Sequence, residues 1–457
     1  MSTPAGRVHF IGVSGAGMSA IAKVLLERGA EVSGSDLKRS RASSSLAAMG
    51  AAISIGHDPA LVDGARVVVY SSAIPRSNAE LRRARELGLE VIARGEALAQ
   101  LLGGARYVVV AGTHGKTTTT SMIVSIFHRA GRDPTYLVGA GLNEVGTNAR
   151  SGRDELAVAE SDESDGSFLL LSPHVGVVTN VEADHLDYWG SLGAIRAAFE
   201  QWLGNVDRAG AAVLPAWEGG LVAAARSLPR PVVTFGEGGD VWAERVDCRV
   251  DGSSFCLRGR HGRADVALRV PGRHNVDNAL AAATAAGEVG VGVAELAAGL
   301  EAYRGVERRL QYRGRARGVT VIDDYAHHPS EVSAVLAALR PGRWRRVVAV
   351  FQPHLYSRTA ALSDAFGGSF AEADRIVVTD VYGAREEPVP GVTGKLVADA
   401  ACVRLPGRPV AYLPHRDELL DYLEASLRPG DAVLTLGAGD ITLVGEELLE
   451  RLGGAGP

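Results

Sequence analysis

The chain is short of lysine. Of its 48 basic residues only four are lysine (Lys23, Lys38, Lys116 and Lys395), and the other 44 are arginine. Cysteine is scarce too. Cys248, Cys256 and Cys402 are odd in number and show no CxxC spacing, which excludes a disulfide framework or a cysteine-ligated zinc site and fits a reducing cytosol. No segment approaches the roughly 20 apolar residues that cross a bilayer. The N-terminus runs directly into a strand-like segment, Val8 to Val13, without a basic n-region or cleavage site, so the expected location is cytoplasmic. A net charge of −5 argues against a nucleic-acid coat or a polybasic membrane surface. Internal repeats and low-complexity linkers are also missing. What is present is an ordinary globular composition, 46% hydrophobic and 22% charged over 457 residues. At about 150 residues per domain, that length predicts three domains.

Strand and helix signals alternate through the first hundred residues. Arg7–Val13, Glu31–Gly34 and Arg66–Tyr70 read as strands, and Met18–Arg28 and Ala79–Leu87 as helices. The alternation restarts near residue 106 with Tyr107–Val110 and a helix from Thr118 to Arg129. Leu156–Glu160 and Val175–Thr179 follow as strands, Cys248–Val250 and Val266–Val270 as shorter ones, and Asn275–Val289 as an Ala-rich helix with Asn275 as its cap. It restarts again near residue 312, with strands Val319–Ile322, Arg346–Phe351, Arg375–Thr379 and Ala432–Leu436. Alternation of this kind predicts an α/β protein of three units, each with a parallel sheet and helices on both faces. Met122 and Phe127, at helical spacing, read as core.

Two glycine-rich loops follow strands and open helices. In the first, Gly12, Val13, Ser14, Gly15, Ala16, Gly17 and Met18 supply a sharp turn and backbone N–H groups at a helix N-terminus, which favours a diphosphate. Asp36, 24 residues after Gly12, stands where a Rossmann unit places a carboxylate on a ribose. The spacing is G-x-x-G-x-G rather than G-x-G-x-x-G, so a nicotinamide dinucleotide is not the expected ligand, and a bare βα turn has the same pattern. The second loop, Gly112-Thr113-His114-Gly115-Lys116-Thr117-Thr118, is a shortened P-loop. Its N–H groups form a nest for phosphate oxygens, Lys116 reaches the β- and γ-phosphates, and the Thr117 hydroxyl ligates Mg²⁺.

Acids and histidines follow at strand ends. Glu160 closes an apolar strand, where P-loop domains commonly hold the nucleotide's metal. The acids of Ser161–Asp165 come next; for Asp162 and Asp165 a solvated loop is the plainer reading. His185, in TNVEADHLD, offers a neutral nitrogen to a metal, although Mg²⁺ prefers oxygen.

These residues together resemble the Mur ligase family, ATP-dependent amide-bond-forming enzymes of peptidoglycan precursor synthesis. The resemblance runs over nearly the whole chain. It rests on GTHGKTTTT, ESDESDGSF, TNVEADHLD, GRHNVDNALAA (272–282), GVERRLQ (305–311), DDYAHHPSE (323–331), FQPHLYSRT (351–359), DVYGAREEP (380–388) and GAGDI (437–441). It implies three domains: a UDP-sugar-binding Rossmann-like domain (1–105), a central ATPase (106–311) and a C-terminal Rossmann-like domain (312–457) that closes over the site and admits the amino acid.

Carried over by position, the resemblance assigns Gly112 to Thr118 to the ATP phosphates and Thr117, Glu160 and His185 to Mg²⁺. It assigns His274, Asn275 and Asn278 to the adenine, and Arg308 or Arg309 to the phosphates. Asp324 with His327 or His328 approaches the nucleotide and the reacting carboxyl. His354 and Arg358 face the sugar carboxylate and the amino acid. Within the family the N-terminal glycine loop, DDYAHHP and FQPH point to the branch that joins L-alanine to the lactyl carboxylate of UDP-N-acetylmuramate through an acyl phosphate. A recycling ligase that attaches a tripeptide to the same sugar is the near alternative. A folate polyglutamylating ligase and a nucleotide-sensing P-loop switch are more remote. Ser14 replaces a usual glycine, and Leu355 stands where many relatives carry arginine. Between Lys116 and Lys395 there is no lysine to carry a metal-bridging carbamate, which agrees with the alanine-adding branch. His327, His328 and His354 all remain candidates for the amine proton. The expected partners are UDP-N-acetylmuramate, L-alanine and ATP, with no nucleic acid or membrane, in a monomer or homodimer.

Overall fold

Five short strands form the first sheet: β1 (Arg7–Ile11), β2 (Val32–Asp36), β3 (Ala52–Ile55), β4 (Ala65–Tyr70) and β5 (Glu90–Ala93). They lie in the order β3-β2-β1-β4-β5, all parallel, in a computed structural model that describes residues 6–143, 145–384 and 386–453. β1 is central and paired on both edges, and Val8, His9, Phe10 and Ile11 are all buried there. The helix Ala16–Glu27 covers the sheet with Met18, Ile21, Val24 and Leu25. The turn from β1 into that helix lies so close to β2 that a Cβ on Gly34 would stand 2.8 Å from the Val13 Cβ.

The second sheet contains β6 (Arg106–Ala111), β7 (Thr135–Leu142), β8 (Thr147–Arg150), β9 (Leu156–Glu160) and β10 (Val175–Val178). It continues with β11 (Ala211–Pro215), β12 (Val232–Phe235), β13 (Val241–Arg249), β14 (Gly252–Gly259) and β15 (Gly262–Leu268). Their order is β15-β14-β13-β12-β11-β10-β6-β9-β7-β8. β6 lies between β10 and β9, so the loop after β6 opens where two neighbouring strand ends also deliver residues. The helix after that loop, Lys116–Arg129, is buried along most of its length, with Met122 and Phe127 fully enclosed.

The third sheet, β16 (Gln311–Ala316), β17 (Val319–Asp324), β18 (Arg346–Phe351), β19 (Arg375–Val378), β20 (Val410–Tyr412) and β21 (Asp431–Leu436), has the order β16-β17-β21-β18-β19-β20. Only β16 runs antiparallel to its neighbour in this sheet. Phe351 packs against Phe366 and Phe370 at ring separations of 4.9 and 5.5 Å, anchoring one face.

The chain divides into two compact units. One holds residues 1–244, 256–266 and 277–304; the other holds 245–255, 267–276 and 305–457. The first sheet and strands β6 to β12 of the second share a unit, in which the helix Ala16–Glu27 packs on β7 and β8. Ser151 N donates to Glu27 at 2.6 Å, Asn148 Nδ2 to the Ala16 carbonyl at 3.3 Å, and Lys23 to the Thr147 hydroxyl. Among the described residues no helix is long and apolar enough to cross a membrane.

One local expectation fails. Asn275 is not a helix cap: the helix begins at Arg273, and the Asn275 amide donates back to the Pro271 carbonyl at 2.7 Å from inside the first turn. An asparagine that meets a free carbonyl one turn earlier bonds it from within the helix, so the cap signal misplaced the start.

Candidate active site

The loop after β6 is held from beneath by the end of β10. Thr113 N donates to the Asn180 carbonyl at 3.0 Å, and His114 N to the Asn180 side-chain oxygen at 2.9 Å. The Thr179 hydroxyl and the Asn180 amide donate to the His114 carbonyl at 2.5 and 3.1 Å. Gly115 adopts φ +78°, and a Cβ there would lie 2.3 Å from Asn278 Oδ1. The position therefore requires glycine both for its backbone and for the close approach of Asn278. Thr119 also donates to Asn278, at 3.3 Å.

Lys116 folds back over this loop. Its ammonium donates to the carbonyls of Gly112 and Thr113 at 2.7 and 3.0 Å and to Glu163 Oε2 at 2.8 Å, with Asp162 at 4.0 Å. Burial opposes the charge, but the carboxylates of Glu163 and Asp162 overcome it and hold Lys116 above the usual lysine range. Burial pushes the Glu163 carboxyl up to about 7 against the pull of Lys116, with Asp162 adding to the rise. The lysine stays cationic, and Glu163 is the partner whose charge is costly.

The Thr117 hydroxyl donates to Glu160 Oε1 at 2.9 Å, and the other Glu160 oxygen accepts from Gly139 N on β7 at 2.7 Å. A hydroxyl and an oriented carboxylate form a hard-oxygen donor set of the kind Mg²⁺ takes. His185 falls into a different grouping: one ligand atom each from Asp162, Glu163 and His185 lie within 4.8 Å of one another. Within the acidic run Glu163 is buried, whereas the Asp162 side chain remains 39% exposed, 4.0 Å from Lys116; Asp165 is paired with Arg94 at 3.2 Å. His185 has φ +52°, rare for a side-chain-bearing residue, where the chain turns from β10 towards the short helix Leu186–Trp189.

In the first glycine loop, Ser14 N donates to Asp36 Oδ2 at 2.9 Å, so one oxygen of the expected ribose carboxylate braces the loop itself. Gly12 N and Val13 N donate to the Ser35 carbonyl. The loop continues through Gly15, Ala16, Gly17 and Met18 into the covering helix. Beneath it lies a polar cluster that sequence reading missed. Glu80, fully buried, accepts from Ser35 at 2.9 Å and meets His9 Nε2 and His57 Nδ1, both at 2.7 Å. Burial raises the Glu80 carboxyl, but hydrogen bonds from His9, His57 and Ser35 outweigh it and hold it below the usual range.

The second unit gathers the remaining candidates. Arg308 and Leu310, at φ +59° and +45°, form a sharply turned linker. The Arg308 guanidinium donates to the Gly437 and Gly439 carbonyls at 2.6 and 3.2 Å, pairs with Asp323 at 3.4 Å and lies over the Tyr325 ring. Arg309 lies over the same ring and reaches Glu331 at 3.5 Å. Asp324 accepts from Leu310 N and Ala326 N, both at 2.7 Å; burial nonetheless pushes its carboxyl up to about 6. His274 is pushed down to about 4 by burial, with the Arg309 charge adding to it. His327 and His354 lie with ring centres 5.8 Å apart, and His354 stacks on Tyr382. Arg358, buried, reaches His354 Nδ1 at 3.2 Å. Leu355 has φ +69° and is buried, so its side chain is packed into the unit where an arginine anchor is common. His328 meets the Ser330 hydroxyl at 2.8 Å. Arg385, within DVYGAREEP, lies outside the described residues.

A P-loop between strand and helix, with the Glu160 carboxylate at the end of the neighbouring strand, marks an α/β nucleotide-binding protein, and the chain belongs to the Mur ligase family. Family models described as the Mur ligase family catalytic domain, the Mur ligase middle domain and the Mur ligase glutamate ligase domain match residues 7–106, 110–286 and 308–439. The chain is 48% identical to the UDP-N-acetylmuramate–L-alanine ligase of Rubrobacter xylanophilus, over 98% of this chain and 100% of that one. It is 45% identical to the ligase of the same name from Mycolicibacterium vanbaalenii, over 98% and 96%. Among solved structures it resembles the UDP-N-acetylmuramate–alanine ligase of Thermotoga maritima, with a TM-score of 0.81 and 29% identity over 98% of this chain and 99% of that one. A murein peptide ligase from Psychrobacter arcticus follows at 0.74 and 25%, over 98% and 99%.

Proposed function

We propose that this chain joins L-alanine to the lactyl carboxylate of UDP-N-acetylmuramate, consuming ATP and releasing ADP and phosphate, in peptidoglycan precursor synthesis. The observation that carries this reading is the full-length identity of 44–48% to relatives bearing that activity in their names. The geometry supports it. Lys116 and the N–H groups of Gly112 to Thr118 receive the ATP phosphates, and Asn278, with His274 and Asn275, serves the adenine. Thr117 and Glu160 would hold Mg²⁺, and His185, grouped with Asp162 and Glu163, would be a further ligand; the ion would supply charge neutralisation on the phosphates. Residues 1–105 bind the UDP-sugar through the first glycine loop, 106–311 bind ATP, and 312–457 serve the amino acid through His354 and Arg358. The substrates are small and water-borne, which suits a cytoplasmic enzyme.

The lactyl carboxylate attacks the γ-phosphate and forms an acyl phosphate; the alanine amine attacks the acyl carbon and expels phosphate. The first step is phosphoryl transfer, so positioning and charge neutralisation dominate. Lys116 must leave Glu163 to meet a phosphate, and the high pKa of Glu163 lowers the cost of losing its cationic partner, since the carboxyl can take up a proton. Phosphate release tests the reading with three sets of additions: UDP-N-acetylmuramate with L-alanine, the same sugar with L-Ala-γ-D-Glu-diaminopimelate, and the sugar alone. Release with alanine supports the reading. Release only with the tripeptide moves the chain to the recycling branch.

A further inference from the structure

The incoming amine arrives as an ammonium and must lose a proton, and the hydrogen bonds of His327 and His354 distinguish the two rings. His327 Nδ1 lies 3.0 Å from the Tyr325 carbonyl oxygen. A carbonyl only accepts, so Nδ1 carries the hydrogen, and the neutral ring keeps its lone pair on Nε2. Glu331 Oε2 stands 3.4 Å from the same Nδ1 and accepts from the His327 backbone N–H at 3.0 Å. A carboxylate behind the ring favours the imidazolium that forms when Nε2 takes a proton. The Tyr325 and His354 rings flank His327 at 5.4 and 5.8 Å, and Arg309 reaches Glu331 from the linker.

His354 has the opposite arrangement. Its Nδ1 lies 3.2 Å from Arg358 Nη1. A guanidinium only donates, so Nδ1 accepts, and the neutral ring carries its hydrogen on Nε2. Protonating this ring would place a hydrogen on Nδ1 against the Arg358 cation. His328 meets a hydroxyl, which fixes neither tautomer.

We propose that Nε2 of His327 is the base that accepts a proton from the L-alanine ammonium, with Glu331 as its positioning residue and His354 acting as a hydrogen-bond donor. The assignment rests on the ligase reading above. The ammonium gives one proton to Nε2, and the freed amine forms the C–N bond at the acyl carbon. The C–O bond to phosphorus breaks with its electron pair going to phosphate, which takes the second amine proton as the amide forms. The imidazolium returns its proton to solvent.

The test uses the full chain with ATP, Mg²⁺ and UDP-N-acetylmuramate, and compares L-alanine with hydroxylamine, an amine that is already uncharged near neutral pH. His327→Asn should lower alanine turnover about 100-fold or more. It should leave hydroxamate formation within about threefold of wild type, and alanine turnover should recover as pH rises. Glu331→Gln should give a smaller, about tenfold loss with the same pH recovery, and it carries the test if His327→Asn misfolds. His354→Asn should depress both amines alike without pH recovery. Equal loss of both amines in His327→Asn, or selective pH recovery in His354→Asn, overturns the proposal. A wild-type chain that forms no ATP- and sugar-dependent hydroxamate overturns the ligase reading instead.

Discussion

The ammonium of Lys116 lies 2.8 Å from Oε2 of Glu163, a carboxylate that is only 2% exposed. Lys116→Met should therefore have two effects. Phosphate release should fall at least about 1,000-fold, because no other lysine in the loop can reach the phosphates. Glu163 is left buried without its cation, a loss that costs about 3 kcal/mol unless the carboxyl protonates. Lys116→Met/Glu163→Gln should recover thermal stability but not turnover. A double variant no more stable than the single one would show that the pair contributes nothing to folding.

Gly115→Ala should remove ATP binding while the first unit still folds. The added Cβ would meet Asn278 at 2.3 Å, and φ +78° is strained for alanine. The expected cost is about 1–3 kcal/mol, read by thermal unfolding, with calorimetric ATP affinity reduced at least about tenfold. Unchanged affinity would mean that the loop does not cradle the nucleotide.

Glu80→Leu should act at a distance on the UDP-sugar. Ser35 donates to Glu80 from its side chain and receives the Gly12 and Val13 N–H groups at its carbonyl, so loosening one loosens the other. KM for UDP-N-acetylmuramate should rise about tenfold while KM for ATP and kcat stay within about twofold, with about 2–4 kcal/mol lost from stability. A uniform fall in kcat with KM unchanged would assign Glu80 a purely structural role.

Arg308→Lys should behave much like Arg308→Ala. The guanidinium spans the Gly437 and Gly439 carbonyls while lying over Tyr325, and a single ammonium cannot do both. Both variants should lose about 2–3 kcal/mol of stability. Full stability in the lysine variant would show that charge alone suffices.

Two groups of the second unit, the half-buried His274 and the buried Asp324, titrate in opposite senses. His274, at about 4 in the fold and near 6.5 unfolded, stays neutral while the unfolded chain takes a proton, so its contribution is lost as pH falls from about 6.5 towards 4. Asp324, at about 6 in the fold and near 3.9 unfolded, holds a proton that the unfolded chain has released, so its contribution is lost as pH rises from about 4 through 6. Each is worth about 3 kcal/mol, and together they nearly cancel. Relative to wild type, Asp324→Asn should gain melting temperature as pH rises from 4 to 6, and His274→Gln should lose it. Parallel melting curves in all three would refute this.

Most strands were legible in the chain, because β-branched runs such as Arg66–Tyr70 and Arg346–Phe351 carry their own signal. The hairpin β7–β8, the edge strands β3, β5, β16 and β20, and the strands β11, β12 and β14 were not. Most of these are short or polar, and pairing rather than propensity makes them strands; β7 (TYLVGAGL) carries an apolar run of its own. Within the site, Lys116, Thr117 and Glu160 announced themselves by spacing from a strand end. Glu331, four residues after His327, could have been found as a helical i,i+4 pair. Glu163 stood in the acidic run after Glu160 without a sign that it meets Lys116, and no local signal marked Glu80.

Chemistry written within one turn of chain, a P-loop and a glycine loop, was thus readable directly, and the residue count alone revealed the lysine-free stretch that excludes a bridging carbamate. Which carboxylate meets Lys116 across 47 residues, or His9 across 71, depends on burial and on strand order. So does which histidine nitrogen faces a carbonyl and which faces a guanidinium. Desolvation and hydrogen-bond direction exist only once distant segments are packed together, and these properties set the charge and tautomer of each group.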